Sequence, residues 1–144
     1  GLDRSLTAET AEAAKRGRGM NEDELSSEII GAAIEVHKQL GPGLLETAYE
    51  ECLAHELALR GIPFERQKPI AVRYKDVRLD CGFRADLVVG GLVILELEAV
   101  DELAPIHDAQ VITYLKLTGC RLGLLLNFNV RLMRDGIKRL VLNL

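Results

Sequence analysis

The stretch RADLVVGGLVILELEAV, residues 84–100, contains two strongly apolar runs that are joined at Gly90-Gly91. Apolar runs of this length around a glycine turn are typical of strands that are buried on both faces of a sheet. Three carboxylates interrupt the runs, at Asp86, Glu96 and Glu98. An ionised carboxylate in a buried strand costs on the order of several kcal/mol unless shared protons, basic partners or a bound cation compensate it. The stretch therefore predicts a buried sheet with a charged site inside it.

The length of the turn decides which way these carboxylates point. With a plain two-residue turn, Asp86 would pair with Leu95, and Glu96 would point to the opposite face of the sheet. A three-residue loop, or a bulge near Asp86, would instead place all three carboxylates on one face. A shared site therefore requires an odd loop or a bulge.

A divalent cation is the compensation that best fits these carboxylates. Arg84 is the nearest basic residue on the strand, two positions before Asp86 and on the same face, and one arginine cannot neutralise three carboxylates. Mg²⁺ takes a few carboxylates together with water and substrate phosphate. We therefore predict a cation site at Asp86 and Glu96. For Glu98, a solvent-facing position at the strand end is an equal alternative.

Composition indicates one soluble domain. The chain has 144 residues, of which 48% are hydrophobic and 28% are charged, and no apolar run reaches the roughly 20 residues that span a bilayer. The N-terminus has no apolar segment typical of a secretion signal, so we expect a cytoplasmic protein without membrane association. The net charge of −4 argues against tight non-specific coating of nucleic acid. We expect the three cysteines to be small buried hydrophobic residues; they are Cys52, Cys81 and Cys120.

The hydrophobic pattern predicts an α/β domain over residues 24–144, preceded by a flexible extension at residues 1–23. Helices are expected from Glu24 to Leu40, from about Leu44 to Arg60 and from Pro105 to Thr118. Strands are expected at 63–74, 78–89, 92–98, 122–128 and 137–142. The order α-α-β-β-β-α-β-β, with its continuous apolar strands, predicts a central mixed sheet flanked by helices on both faces. The expected buried stripes are Ile30, Ala33, Ile34, His37 and Leu40 in the first helix, and Leu45, Tyr49, Leu53 and Leu57 in the second.

Four short motifs resemble those of the GxxExxY protein family, which belongs to the PD-(D/E)XK nuclease superfamily. The resemblance covers about residues 24–143. The motifs are Gly43-x-x-Glu46-x-x-Tyr49, Arg84-x-Asp86, Glu96-x-Glu98 and Gln110-x-x-x-Tyr114. Each motif is weak alone, and together they are specific.

The resemblance implies a restriction-endonuclease-like core and hydrolysis of phosphodiester bonds in DNA or RNA, dependent on Mg²⁺ or Mn²⁺. It makes Asp86 and Glu96 metal ligands, with Glu46 as an additional acid from the preceding helix. Gln110 and Tyr114 match the Q-x-x-x-Y element of RecB-like members. The oligomeric state stays open, with a homodimer as one alternative.

The chain departs from the family pattern at Glu98, which stands where the family has lysine. That lysine is expected to orient the attacking water and to stabilise developing negative charge. Glutamate could act as a general base or recruit a second cation. Two alternatives to a nuclease therefore remain: an inactive module of the same fold that binds nucleic acid or a protein partner, and a purely structural metal site.

Several supporting residues have structural explanations that compete with a site role. The helix dipole would favour Glu46 in a first turn, and Gln110 with Tyr114 could simply brace a helix. His37 is expected to be a core histidine with a satisfied hydrogen bond, whereas His107 could cap its helix or approach the carboxylates. With 4% aromatic residues and no Trp, base-stacking surfaces look sparse.

Basic residues concentrate in two segments that could contact nucleic acid or simply be solvated edges. The segments contain Arg66, Lys68, Arg73, Lys75 and Arg78, and Arg131, Arg134, Lys138 and Arg139.

Overall fold

The computed structural model describes residues 19–144, so the predicted extension lies outside the described residues as far as residue 18. The helices are α1 (Glu22–Leu40), α2 (Glu46–Leu59) and α3 (Pro105–Thr118). The strands are β1 (Phe64–Pro69), β2 (Val72–Tyr74), β3 (Val77–Leu79), β4 (Arg84–Val89), β5 (Val93–Glu98), β6 (Leu122–Asn127) and β7 (Ile137–Val141), with a 3-10 turn at Met133–Gly136. In residues 19–144 no helix has both the length and the apolar character that a membrane crossing requires.

A five-stranded sheet in the order β1-β4-β5-β6-β7 forms the centre of the fold. Only the β5–β6 pair is parallel, and α3 makes the crossover between these two strands, as parallel neighbours require. The other pairs in this sheet are antiparallel. One face of the sheet packs against α1 and α2, and the opposite face packs against α3. The predicted mixed sheet with helices on both faces is confirmed.

The loop between β4 and β5 has the odd length that a shared carboxylate site requires. Val89 pairs with Val93, which leaves the three residues 90–92 as the loop, and the Leu92 N–H donates to the Val89 carbonyl at 3.0 Å. Both glycines lie in the left-handed region, with φ of 59° at Gly90 and 71° at Gly91. Since that region disfavours side chains, the two glycines allow this tight loop.

We expect Gly90→Ala to destabilise the fold more than Gly91→Ala. Both changes add left-handed strain of about 1–2 kcal/mol. A Cβ at Gly90 would also lie 2.8 Å from Cδ1 of Leu25, whereas a Cβ at Gly91 would meet nothing within 4 Å. The overpacking against Leu25 should add about 1–3 kcal/mol. Urea unfolding measures the difference, and equal losses for the two variants would contradict this packing.

Two long strands expected from the sequence are each divided in the structure. The predicted strand 63–74 breaks after Pro69, which has no N–H for a ladder, and the predicted strand 78–89 breaks at a turn where the Gly82 N–H donates to Asp80 Oδ1 at 3.1 Å. The C-terminal part of the first predicted strand is β2, and the N-terminal part of the second is β3. These two short strands pair with each other outside the main sheet. They form a separate two-stranded hairpin, which is joined to the main sheet at both ends.

The helix predictions need three corrections. α1 begins at Glu22 and not at Glu24, because Asn21 and Glu24 form a capping box: the Glu24 N–H donates to Asn21 Oδ1 at 2.8 Å. The buried stripe of α1 is rotated from the predicted one, so Ile34 and Leu40 are exposed; its members are Leu25, Ser26, Ile29, Ala32, Ala33, Val36 and His37. In α2, Leu45 is the exposed N-cap, while the rest of the predicted stripe is buried.

The expectation for the cysteines is wrong. Cys52 and Cys120 are half-buried, Cys81 is exposed, and all three are free thiols.

Candidate functional site

Asp86 and Glu96 lie opposite each other on neighbouring strands. Leu87 of β4 pairs with Leu95 of β5. The same register places Asp86 opposite Glu96, one position further from the loop. Val88 and Ile94, which alternate with them toward the loop, pack against the α3 side of the sheet, so Asp86 and Glu96 project to that side as well. Asp86 Oδ2 accepts the Leu97 N–H at 2.8 Å, which fixes the aspartate against β5.

Burial strongly perturbs the carboxyl group of Glu96. The residue is 5% exposed, and among residues 19–144 its Oε1 has no hydrogen-bond partner. Burial, followed by the negative charge of Asp86, raises the pKa of Glu96 to about 10. Without a compensating cation, Glu96 therefore carries a proton at neutral pH.

Glu98 and Glu46 add two further carboxylates to the pair formed by Asp86 and Glu96. Glu98 ends β5 on the face of Glu96, and its side chain is only 15% exposed, so it is not a solvent-facing strand end. Glu46 is the first residue of α2 and is exposed. Burial, followed by the charge of Glu46, raises the pKa of Glu98 to about 7. We call Glu46, Asp86, Glu96 and Glu98 the acidic cluster.

Two residues that the sequence did not single out connect α2 to Asp86. Nε2 of Gln67 donates to Glu50 Oε1 at 2.6 Å and to Asp86 Oδ1 at 3.3 Å. Gln67 lies within β1 with φ of 49°, an uncommon conformation for a side-chain-bearing residue in a strand. Glu50 is buried, and its Oε2 also forms a salt bridge with NH2 of Arg66 at 2.8 Å. The only sequence signal for this contact was that Glu50 follows Glu46 by about one helical turn.

The predicted supporting residues divide into two groups. Tyr114 is buried, accepts a hydrogen bond from Gln110 Nε2 at 3.0 Å, and has a raised pKa because of burial first and then the charges of Glu96 and Asp86. It therefore lies beside the cluster, with the exposed Gln110 next to it. Arg84 is exposed at the start of β4, where its NH1 donates to the Gln67 carbonyl at 3.5 Å.

The histidines behave in three different ways. His37 is buried, with Nε2 2.7 Å from the Val130 carbonyl, as predicted for a core histidine. His107 both caps its helix and approaches the acidic cluster. Its Nδ1 accepts the Ala104 N–H at 2.8 Å, and its Nε2 lies 3.9 Å from Glu98 Oε2. Since Nδ1 is an acceptor, a neutral His107 carries its proton on Nε2, the nitrogen that faces Glu98. His55 is exposed.

The carboxylates of the acidic cluster are the type of ligand that a hard cation prefers, but their side chains are not arranged as a metal site. Within residues 19–144, no Lys or Arg forms a salt bridge with any of its four members, and no group of three or more His, Cys, Asp or Glu side chains is placed so that it could hold a metal ion. Its carboxylate oxygens suit Mg²⁺ or Mn²⁺, and the buried Oε1 of Glu96 lacks the partner that a cation would supply. Completing three ligands would require the Glu46 or Glu98 side chain to move.

Comparison with known proteins assigns the class. A family model described as the PD-(D/E)XK nuclease superfamily matches residues 23–140. The match covers most of the chain, so this protein belongs to the PD-(D/E)XK nuclease superfamily, and its mixed sheet between helices is the restriction-endonuclease-like fold. Nucleases of this superfamily act on nucleic acid and generally depend on a divalent metal. No curated protein and no solved structure matched the chain. Membership of the GxxExxY family stays a prediction.

Proposed function

We propose that this chain is a Mg²⁺-dependent nuclease that hydrolyses phosphodiester bonds at the acidic cluster, with Mn²⁺ as an alternative ion. Asp86 and Glu96 would hold the cation, and Glu46 would add a ligand from α2. The observation that carries the proposal is the convergence of Asp86 and Glu96 on one face, with a buried Glu96 oxygen that has no partner.

The chain's own residues have separable parts in this reaction. A bound divalent cation would polarise the phosphodiester and lower the pKa of a coordinated water. Glu98, with a pKa of about 7, is suited to accept a proton from the attacking water near neutral pH. Gln67 and the Leu97 N–H would hold the Asp86 carboxylate in place from two directions. Arg84, exposed at the start of β4, would contact a substrate phosphate.

The decisive experiment is a cleavage assay with the full chain on single- and double-stranded DNA and RNA. We expect cleavage with Mg²⁺ or Mn²⁺ and none when EDTA removes the ions. Glu98→Gln should lower the rate, because its amide cannot accept the proton. Absence of cleavage on every substrate with either ion would refute the nuclease. The four substrates also decide between DNA and RNA.

In residues 19–144 no Lys or Arg is paired with the acidic cluster, and this favours a second function, an inactive module that binds nucleic acid or a protein partner. This function predicts an inactive parent in which Glu98→Lys gains cleavage by restoring the family lysine. Glu102→Lys, at an exposed loop position, is the matched control for the charge change. Gain of activity in Glu98→Lys alone would support the inactive module.

A homodimer also stays a prediction, for which sedimentation of the full chain is the measurement.

His107 is the residue we propose as the positioning partner of Glu98. At 3.9 Å its Nε2–H is too far for a direct hydrogen bond, and one water or a small shift would close the gap. His107→Asn can keep the acceptor for the Ala104 N–H but cannot reach Glu98, whereas His107→Gln keeps a donor at the ε position. We expect cleavage about 10–100-fold slower in His107→Asn and substantially restored in His107→Gln.

The melting temperatures of the two His107 variants separate this role from helix capping. They should be nearly equal, because both amides can accept the Ala104 N–H. Equal cleavage by His107→Asn and the parent would contradict the positioning role.

A further inference from the structure

A small apolar groove lies beside the acidic cluster and belongs to none of the functions above. It has a volume of about 190 Å³ and runs between the β2–β3 hairpin and α3. Its walls include Val72, Phe83, Ile106, Ala109, Gln110 and Tyr114. The groove is smaller than the roughly 300–1,000 Å³ of pockets that bury drug-sized ligands, so it suits a single flat ring system.

The walls of the groove expose large apolar side chains. Phe83 is 46% exposed and Ile106 is 71% exposed. The two side chains expose their apolar surface side by side in one groove, and neither belongs to a buried cluster of the described residues. The sequence suggested few base-stacking surfaces, and the structure places one of its three phenylalanines at this groove.

The groove borders the acidic cluster at Tyr114 of α3. Gln110 and Tyr114 line the groove, and Tyr114 is close enough to Glu96 and Asp86 for their charges to affect it. Arg84 follows Phe83 directly in the chain, at the start of the strand that carries Asp86. If the acidic cluster held a phosphodiester, a base next to that phosphodiester could therefore reach the groove.

The other face of the hairpin carries positive charge that is not used in the fold. Arg73 and Arg78 pair directly across β2 and β3, an arrangement that disfavours the hairpin because like charges face each other. Neither forms a salt bridge within residues 19–144, in contrast to Arg66 and Lys68, which pair with glutamates. With Lys68, they line a second cavity of about 360 Å³ beside the C-terminal end of α3.

We propose that the apolar groove binds an unpaired nucleobase and that Arg73 and Arg78 contact the phosphates of the same strand, so that the substrate class is single-stranded nucleic acid. This proposal rests on the proposed nuclease function. A base inside a duplex is stacked and paired and could enter the groove only by flipping out, at a cost of about a few kcal/mol. The net charge of −4 also argues against tight, charge-driven binding along a duplex, whereas one stacked base and two arginines suit a single strand.

Binding of fluorescent oligonucleotides to the full chain tests the proposal without relying on turnover. Fluorescence anisotropy with the Glu96→Gln variant compares a single strand, the same strand made abasic, and its duplex. We expect the intact single strand to bind most tightly. Phe83→Ala, which removes one wall, and Ala109→Leu, which fills the groove, should each weaken its binding by about 5-fold or more. Leu59→Ala removes an exposed apolar side chain on α2 and should change nothing.

Salt dependence separates the arginines from the groove. Arg73→Ala and Arg78→Ala should each reduce the slope of log affinity against log salt by about 0.7, whereas Phe83→Ala should leave that slope unchanged. Equal affinity for the intact and abasic strands, or unchanged binding in Phe83→Ala, would overturn the proposal.

Three further outcomes separate this proposal from the nuclease itself and from self-association. If the parent cleaves single and double strands equally and Phe83→Ala cleaves like the parent, the nuclease stands and the base site is refuted. If the groove variants weaken single-strand binding but the parent cleaves nothing, the base site stands and catalysis is refuted. A parent that sediments as a dimer, with Phe83→Ala a monomer, would show that a second copy of the chain covers the groove and would also refute the base site.

Discussion

Glu96→Gln should abolish metal-dependent cleavage while preserving the fold. The change keeps the size of the side chain and removes only its ability to carry negative charge to a cation. Because Glu96 lies opposite Asp86 and is buried with an unpartnered Oε1, it would be a direct ligand, and we expect the rate to fall by at least about 100-fold. The measurement is the initial rate of cleavage at saturating Mg²⁺.

Glu65→Gln is the matched control for this change. Glu65 is exposed on β1 of the same sheet, and within residues 19–144 its salt bridge is with Lys68 alone, so its loss should leave the rate unchanged. The melting temperature of Glu96→Gln without metal should equal or exceed that of the parent above neutral pH, since an amide avoids the cost of a buried charge. Cleavage by Glu96→Gln at the parent's rate would remove Glu96 from the site and with it the central support for a nuclease.

The stability of the metal-free protein should fall as the pH rises. In the folded chain the pKa of Glu96 is raised from 4.5 to about 10. Between these two pH values the unfolded chain has released a proton that the folded chain still holds. Deprotonation therefore favours the unfolded state throughout this range, with a slope of up to about 1.4 kcal/mol per pH unit. Glu98, with a pKa of about 7, adds in the same direction up to neutral pH.

Urea unfolding of the parent and of Glu96→Gln in EDTA, repeated from pH 5 to pH 9, would measure this slope. Over this range Glu96 is ionised in the unfolded chain and still protonated in the folded chain. The difference between the two proteins reports the buried Glu96 carboxyl together with its effect on neighbouring groups such as Tyr114, whose pKa its charge raises. We expect a flatter profile for Glu96→Gln, and parallel profiles would contradict the buried, protonated carboxyl.

Added Mg²⁺ should stabilise the parent more at high pH, because the cation replaces the proton on Glu96. It should have little effect on Glu96→Gln at any pH. Stabilisation by Mg²⁺ without cleavage would indicate a structural metal site, the remaining alternative from the sequence.

The main element of the site could be predicted because it depends on local geometry. The period of two in β4 and β5, together with the glycines at the turn, was enough to pose the choice between an even and an odd loop. The bounds of α3 were predicted correctly for the same reason: Pro105 suits a first helical position, and Gly119 adopts φ of 78° at the end.

The errors in prediction arose where distant segments compete for the same residues. The stripe of α1 was rotated because several apolar positions could face inward, and packing against the sheet chose Leu25 and Ile29 over Ile34. The expected strands 63–74 and 78–89 have a suitable pattern, yet their inner halves leave the sheet as the β2–β3 hairpin. That departure creates the groove beside the acidic cluster.

The sequence by itself determined the superfamily and the mixed sheet, and it showed that Asp86 and Glu96 could share a face only with an odd loop or a bulge, since alternation along a strand is a property of neighbouring residues. Only the tertiary structure decided how the cluster is held and how acidic it is. Gln67 bridges Glu50 and Asp86 because α2 packs beside β1, and His107 approaches Glu98 to 3.9 Å because α3 crosses the sheet. The raised pKa of Glu96 has the same origin, because burial results from the packing of distant segments and is absent from any short stretch of the chain.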